Sequence, residues 1–144
     1  MINNFRNKYN FLSNFYPCEI EYDGKTYQNS EAAFQAQKTL NEEEKDQFTD
    51  LNPSAAKRLG RRVQLRTDWE DIKLDVMYNV VYQKFKQNDD IRCKLLNTGD
   101  EELIEGNTWR DTYWGMYKNK DGNFVGENHL GKILMKVRDD LNEK

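Results

Sequence analysis

Trp69, Ile72, Val76, Val80 and Phe85 recur at helical spacing behind Asp68, and no other feature of the chain constrains its fold as strongly. Apolar side chains spaced this way stand on one face of a helix, which other elements must then cover. The stripe predicts a main core helix capped by Asp68. A second stripe, Leu130, Ile133, Leu134, Val137 and Leu141, predicts a final helix with Asn128 as its cap and His129 in its first turn. Gly131 inside that helix costs about 1 kcal/mol relative to Ala, which is tolerated where backbone or ligand approaches closely. Shorter helices are expected from Pro53-Ser54 through AAKRLGRRV, over 90 to 97, and over 31 to about 40 behind Asn29 or Ser30.

Between the helices, CEIEYDGKTYQ (18 to 28) reads as a β-hairpin, because Asp23-Gly24 supplies the positive φ angles of a tight turn. The run LIEGNTWRDTYWGMY (103 to 117) alternates too irregularly for a helix and reads as loop and strand, followed by a turn and the short strand Phe124-Val125. The sum is a predominantly helical α+β domain over 1 to 144 with small antiparallel β elements. With a net charge of −3, 33% charged residues and a mean hydropathy of −1.04, no apolar run approaches a membrane span, which needs roughly 20 residues. Aromatic residues at 12% supply too much buriable surface for a disordered chain.

The N-terminus MINNFRNKYNF lacks the features of a secretory signal, so a cytoplasmic location is expected. Cys18 and Cys93 form no CxxC and read as reduced thiols, and His129 is the only histidine, so neither a metal site nor a cofactor is expected. Three stretches can carry chemistry. Glu31, Gln35 and Lys38 fall at i, i+4 and i+7, one face of a helix, for which a solvated surface is the plain alternative. Lys57, Arg58, Arg61, Arg62 and Arg66 lie in an acid-free stretch (51 to 67) suited to phosphate, or else to a basic solvated face. Asn107, Trp109, Arg110, Asp111, Tyr113 and Trp114 combine stacking faces with a carboxylate, a setting for a flat base or simply for packed aromatics. Spacing alone does not make Asp111 catalytic, and His129 reads as structural.

FLSNFYP (11 to 17), YDGKTYQNSEAAFQAQK (22 to 38), AAKRLGRRV (55 to 63), NTWRDTYWG (107 to 115) and GENHLGKILM (126 to 135) together resemble the NADAR, or YbiA-like, family over about residues 10 to 141. The resemblance implies an N-glycosidase acting on ribosyl groups attached to guanine-like bases. Its substrate would be ADP-ribosylated guanine, within DNA or RNA, or a phosphoribosylamino-pyrimidine intermediate of riboflavin synthesis. A sensor holding ADP-ribose or NAD without hydrolysis, and a nucleic-acid binder using the 57 to 66 patch, are the other readings. No membrane or obligate protein partner is implied. Glu31 and Asp111 match the family's activity-associated carboxylates, one activating water or stabilising the cation and the other complementing it. Asn14, Gln35, Lys38, Arg58, Asn107, Trp109, Trp114 and Asn128 are the implied substrate-binding residues, with Lys38 holding Glu31 ionised. Ala32 replaces the family's usual histidine or similar residue, and Arg110 a usual small residue; both departures bear on substrate preference.

Overall fold

The computed structural model describes residues 1–143 as a predominantly helical α+β chain with two small antiparallel sheets. The chain divides into two compact units, residues 14–89 and a unit assembled from residues 1–13 with 90–144.

In the unit of residues 14–89, strands β1 (Pro17–Tyr22) and β2 (Lys25–Asn29) form the expected hairpin, with positive φ at both Asp23 and Gly24. Its register pairs Ile20 with Tyr27, and both are fully buried. Helix α1 (Ser30–Ala36) follows directly, capped by Asn29, whose Oδ1 accepts from the Ala32 amide at 2.8 Å. The helix is shorter than the expected run to about 40. Gln37 and Lys38 bond back three residues, to the carbonyls of Phe34 and Gln35, and Asn41 starts an unanticipated helix α2 (Glu42–Asp46) by accepting from the Glu44 amide.

Helix α3 (Pro53–Gly60) starts at Pro53 as expected and is capped by Asn52, whose Oδ1 accepts from the Ala55 amide. Helix α4 (Trp69–Gln87) is the expected core helix, with Trp69, Val80 and Phe85 buried and Ile72 and Val76 half-buried. Asp68 precedes α4 but makes no side-chain cap, because Arg66 takes its carboxylate in a two-pronged ion pair at 2.6 and 3.1 Å. Strands β1 and β2 and helices α2, α3 and α4 all pack on α1, so all of its residues are buried. Tyr27, Ala32, Ala33, Ala36, Phe48, Ala56 and Val80 form the core there.

In the other unit, Ile2 pairs with Leu103 through a parallel bridge, and a 3-10 segment (Asn7–Leu12) buries Phe11 and Leu12. Helix α5 (Asp89–Asn97) begins at the border between the units and buries Ile91 and Leu95. Strands β3 (Tyr117–Lys118) and β4 (Phe124–Val125) form the second sheet. Helix α6 (His129–Asn142) buries Leu130, Leu134, Val137 and Leu141. Its Arg138 is also buried and donates to Thr98 Oγ1 and the Glu101 carbonyl, closing the end of α5.

Asn128 precedes α6 in a left-handed conformation and does not cap it with its side chain, contrary to expectation. Backbone carbonyls do so instead: Thr112, Tyr113, Trp114 and Gly115 accept from the amides of Glu127, His129, Leu130 and Asn128 respectively. The Asn128 amide is thereby freed to bridge the Leu103 carbonyl and the Glu105 amide, at 2.9 and 3.0 Å. That bridge explains Gly131, where a Cβ would lie 2.1 Å from the Leu103 carbonyl oxygen. Close backbone approach is therefore the reason for this mid-helix glycine. Neither cysteine is in a disulfide, and no helix among the described residues is long and apolar enough to cross a membrane.

Candidate active site

Because α1 is buried, its polar stripe faces protein rather than water. The Glu31 residue is only 7% exposed, and its Oε2 accepts from Gln35 Nε2 at 2.7 Å. A glutamate is almost never buried without a partner, and its first-turn position adds the favourable helix dipole to that hydrogen bond. Lys38, half-buried beyond the end of α1, provides the charge. Burial pushes its ammonium below the usual lysine range, the Glu31 charge pulls it back up, and Arg61, Lys57 and Lys73 push it further down. A lysine in this balance gives up its proton more readily than a free one.

Asn14 and Gln35 also belong to this cluster. The Asn14 carbonyl accepts from the Glu31 amide at 3.1 Å and its Oδ1 from Ser30 Oγ at 2.8 Å, while its Nδ2 donates to Met77 Sδ. Its side chain thus fixes the start of α1. Gln35 Oε1 is buried without a hydrogen-bond partner and lies against Gly60 of α3. A Cβ on Gly60 would stand 2.0 Å from that oxygen, so the glycine makes room for the amide that holds Glu31.

The basic stretch is less uniform than its sequence. Arg66 is neutralised by Asp68, Lys57 lies over the Phe15 ring, and Arg58 is exposed on α3. Arg61 and Lys57 are the members whose charge reaches Lys38. Lys73 on α4, whose charge also does, had no distinguishing sequence signal.

In the other unit, Asn107 and Asp111 build the aromatic loop. Asn107 is buried and clamps Asp111 at both ends, accepting from its amide and donating to its carbonyl, each at 3.0 Å. Asp111 Oδ1 in turn accepts from the Tyr113 and Trp114 amides at 3.0 Å. Tyr113 packs edge-on against Trp114 and lies 4.5 Å, centroid to centroid, from the His129 ring. Trp109 is 68% exposed, a large flat face open to solvent. Asn128, with its amide committed to residues 103 and 105, supports this loop through backbone. Glu31, Gln35, Lys38, Asn14 and Arg58 thus belong to one unit, and Asn107, Trp109, Asp111, Trp114 and Asn128 to the other.

Sequence reasoning also missed Lys84, which is fully buried on α4 near the Tyr16 and Phe85 rings, its ammonium pushed down by burial to about 8. Position 84 shares a face with Met77, Val80 and Val81, so the helical stripe did contain the signal. Among the described residues, no group of three or more His, Cys, Asp or Glu could hold a metal ion.

The description NADAR domain belongs to a family model that matches residues 2–142. A riboflavin biosynthesis protein of Vibrio vulnificus is 41% identical over 136 residues, which are 92% of this chain and 36% of that protein; the chain thus spans about a third of it. The N-glycosidase YbiA of Escherichia coli is 39% identical over 92% of this chain and 82% of its own length. An NMR structure of E. coli YbiA superposes with a TM-score of 0.81 at 36% identity, covering 99% of this chain and 88% of the other. With the match running nearly end to end and the fold shared, the chain belongs to the NADAR family.

Proposed function

We propose that this protein hydrolyses the N-glycosidic bond between a ribosyl anomeric carbon and a guanine-like base, with ADP-ribosylated guanine in nucleic acid as its substrate. The observation that carries the reading is Glu31: a carboxylate buried inside the protein, aligned by Gln35 and balanced by Lys38. Burying such a group costs several kcal/mol unless it is paired, a cost that makes sense where a carboxylate must be held still. The N-glycosidase names of its relatives fit the same reaction class.

Cleavage of a ribosyl–nitrogen bond develops positive charge at C1′ and on the ring oxygen. Glu31 accepts a proton from the attacking water, whose oxygen bonds to C1′ as the nitrogen departs. The leaving base gains the proton that its nitrogen needs from a general acid or from solvent. In the other unit, Asn107 holds the Asp111 backbone and the amides of Tyr113 and Trp114 hold its carboxylate, beside the aromatic faces of Trp109 and Trp114. Lys38, while charged, keeps Glu31 ionised. Gln35 and Asn14 position Glu31, and Arg58 meets phosphate from α3.

A second reading is favoured by relatives from Vibrio vulnificus and maize that are named riboflavin biosynthesis proteins. In it the same chemistry acts on a phosphoribosylamino-pyrimidine. Incubation with guanine-ADP-ribosylated DNA and, separately, with that pyrimidine, read by mass spectrometry, distinguishes the two. Wild type is expected to release ADP-ribose, and Glu31→Gln to fold normally with turnover reduced by about 10² to 10⁴. Wild-type turnover by Glu31→Gln removes Glu31 from the mechanism. Binding of ADP-ribose without product from either substrate leaves the sensor reading instead.

A further inference from the structure

A groove of about 660 Å³ opens within the unit of residues 1–13 and 90–144, between the N-terminal segment, the 106–110 loop and the β3–β4 hairpin. Four cations line it, Arg6, Arg110, Lys118 and Lys120, with no carboxylate among the lining residues. None of the four is ion-paired among the described residues. On a chain whose net charge is −3, this is a local excess of the opposite sign. The proposed mechanism uses none of these side chains.

Two of these cations are also held in place. The Arg110 guanidinium lies 5.2 Å from the Tyr117 ring centroid, and the Lys118 ammonium 5.4 Å from that of Phe124. A cation laid on a ring is attracted by the face of the π-system and loses part of its freedom before any ligand arrives. Arg110 is presented by a backbone with φ of +63°, a region where a residue other than glycine is uncommon. An arginine kept in such a conformation and aimed into a cation-lined groove is arranged for an anion.

We infer that this groove binds the sugar–phosphate backbone of a single-stranded nucleic acid. Three separate chain segments contribute its charges, which suits consecutive phosphates better than one. Its volume lies within the range of small-ligand sites, about 300 to 1,000 Å³, enough for a short piece of strand and too small for a duplex. Arginine forks match phosphate oxygens bidentately, and a guanidinium plane backed by an aromatic ring is a platform on which a base can stack. The inference rests on the proposed action on nucleic acid for its occupant, and because the groove takes unmodified strand, its binding is read separately from the hydrolysis assigned to Glu31.

The test is fluorescence anisotropy with a labelled, unmodified single-stranded 12-mer, using wild type and the triple variant Arg6→Ala, Lys118→Ala, Lys120→Ala. All three positions are exposed, and a thermal melt followed by circular dichroism verifies the fold. Wild type is expected to bind with an affinity that falls as salt rises. The triple variant is expected to lose more than tenfold in affinity, and its log–log salt slope to flatten by about 2, since each phosphate contact to a single strand contributes roughly 0.7. Absence of binding at low salt, or equal binding by the triple variant, overturns the inference. So does displacement of the strand by polyglutamate at an equal concentration of charge, which would mark a non-selective anion surface.

Discussion

Lys38 is pulled in two directions, and the balance gives its role a sign. Its ammonium titrates below the usual lysine range because burial outweighs the attraction of Glu31. If the charged form is the working one, activity falls as pH rises through that lowered pKa, and Lys38→Arg, which stays charged, moves the loss to higher pH. A kcat profile from pH 6 to 11 measures this; activity that rises along that limb would make the neutral amine the working form, a base or nucleophile. Lys84 gives a stability prediction instead. Its folded pKa of about 8 lies under the unfolded 10.5, so below pH 8 both states are charged and the native one carries the full cost, about 3 kcal/mol. Stability then rises between pH 8 and 10.5, as the native state sheds a proton that the unfolded chain retains. Urea melts at pH 7 and 9 are expected to show this rise in wild type and not in Lys84→Met; parallel pH dependences would show that Lys84 does not titrate there. The spacing of Glu31, Gln35 and Lys38 was legible in the sequence. Their burial was not, since an i, i+4, i+7 stripe looks the same on a wet helix and a dry one.

Contacts between elements set the next level, and α3 against α1 is the telling case. The closest neighbour of a Cβ on Gly60 would be the amide that aligns Glu31. Gly60→Ala should therefore leave the fold intact, because the displaced group is the end of a flexible side chain and alanine is the better helix former. Turnover should fall roughly 10²-fold, the scale of a misplacement of about 1 Å near reacting groups. In a Gln35→Ala background the same substitution should cost almost nothing, and additive losses in that double-mutant cycle would separate Gly60 from Gln35. Helix starts were readable where a side-chain cap exists, as at Asn29. They misled at Asp68 and Asn128, whose side chains had better offers from Arg66 and from the backbone at 103 and 105. Local sequence shows which residues are able to cap, and tertiary neighbours decide whether they do.

Across the whole chain, the helical stripes and the Asp-Gly hairpin were enough to indicate a mostly helical α+β fold. The 103–117 segment was readable only as irregular, because its order comes from Asn107 and Asp111 tying backbone groups rather than from any repeating pattern. The division into two units, one of them built from both ends of the chain, leaves no composition break at residues 13 or 89 to betray it. The carbonyls of 112–115 that serve as the cap of α6 carry one more implication. A loop that supplies a helix with its terminal hydrogen bonds cannot swing away without fraying that helix. Any ligand whose arrival or departure displaces Trp114 therefore moves at the pace of local unwinding at residues 127–130, and residence time at this loop becomes a property of helix stability as much as of affinity.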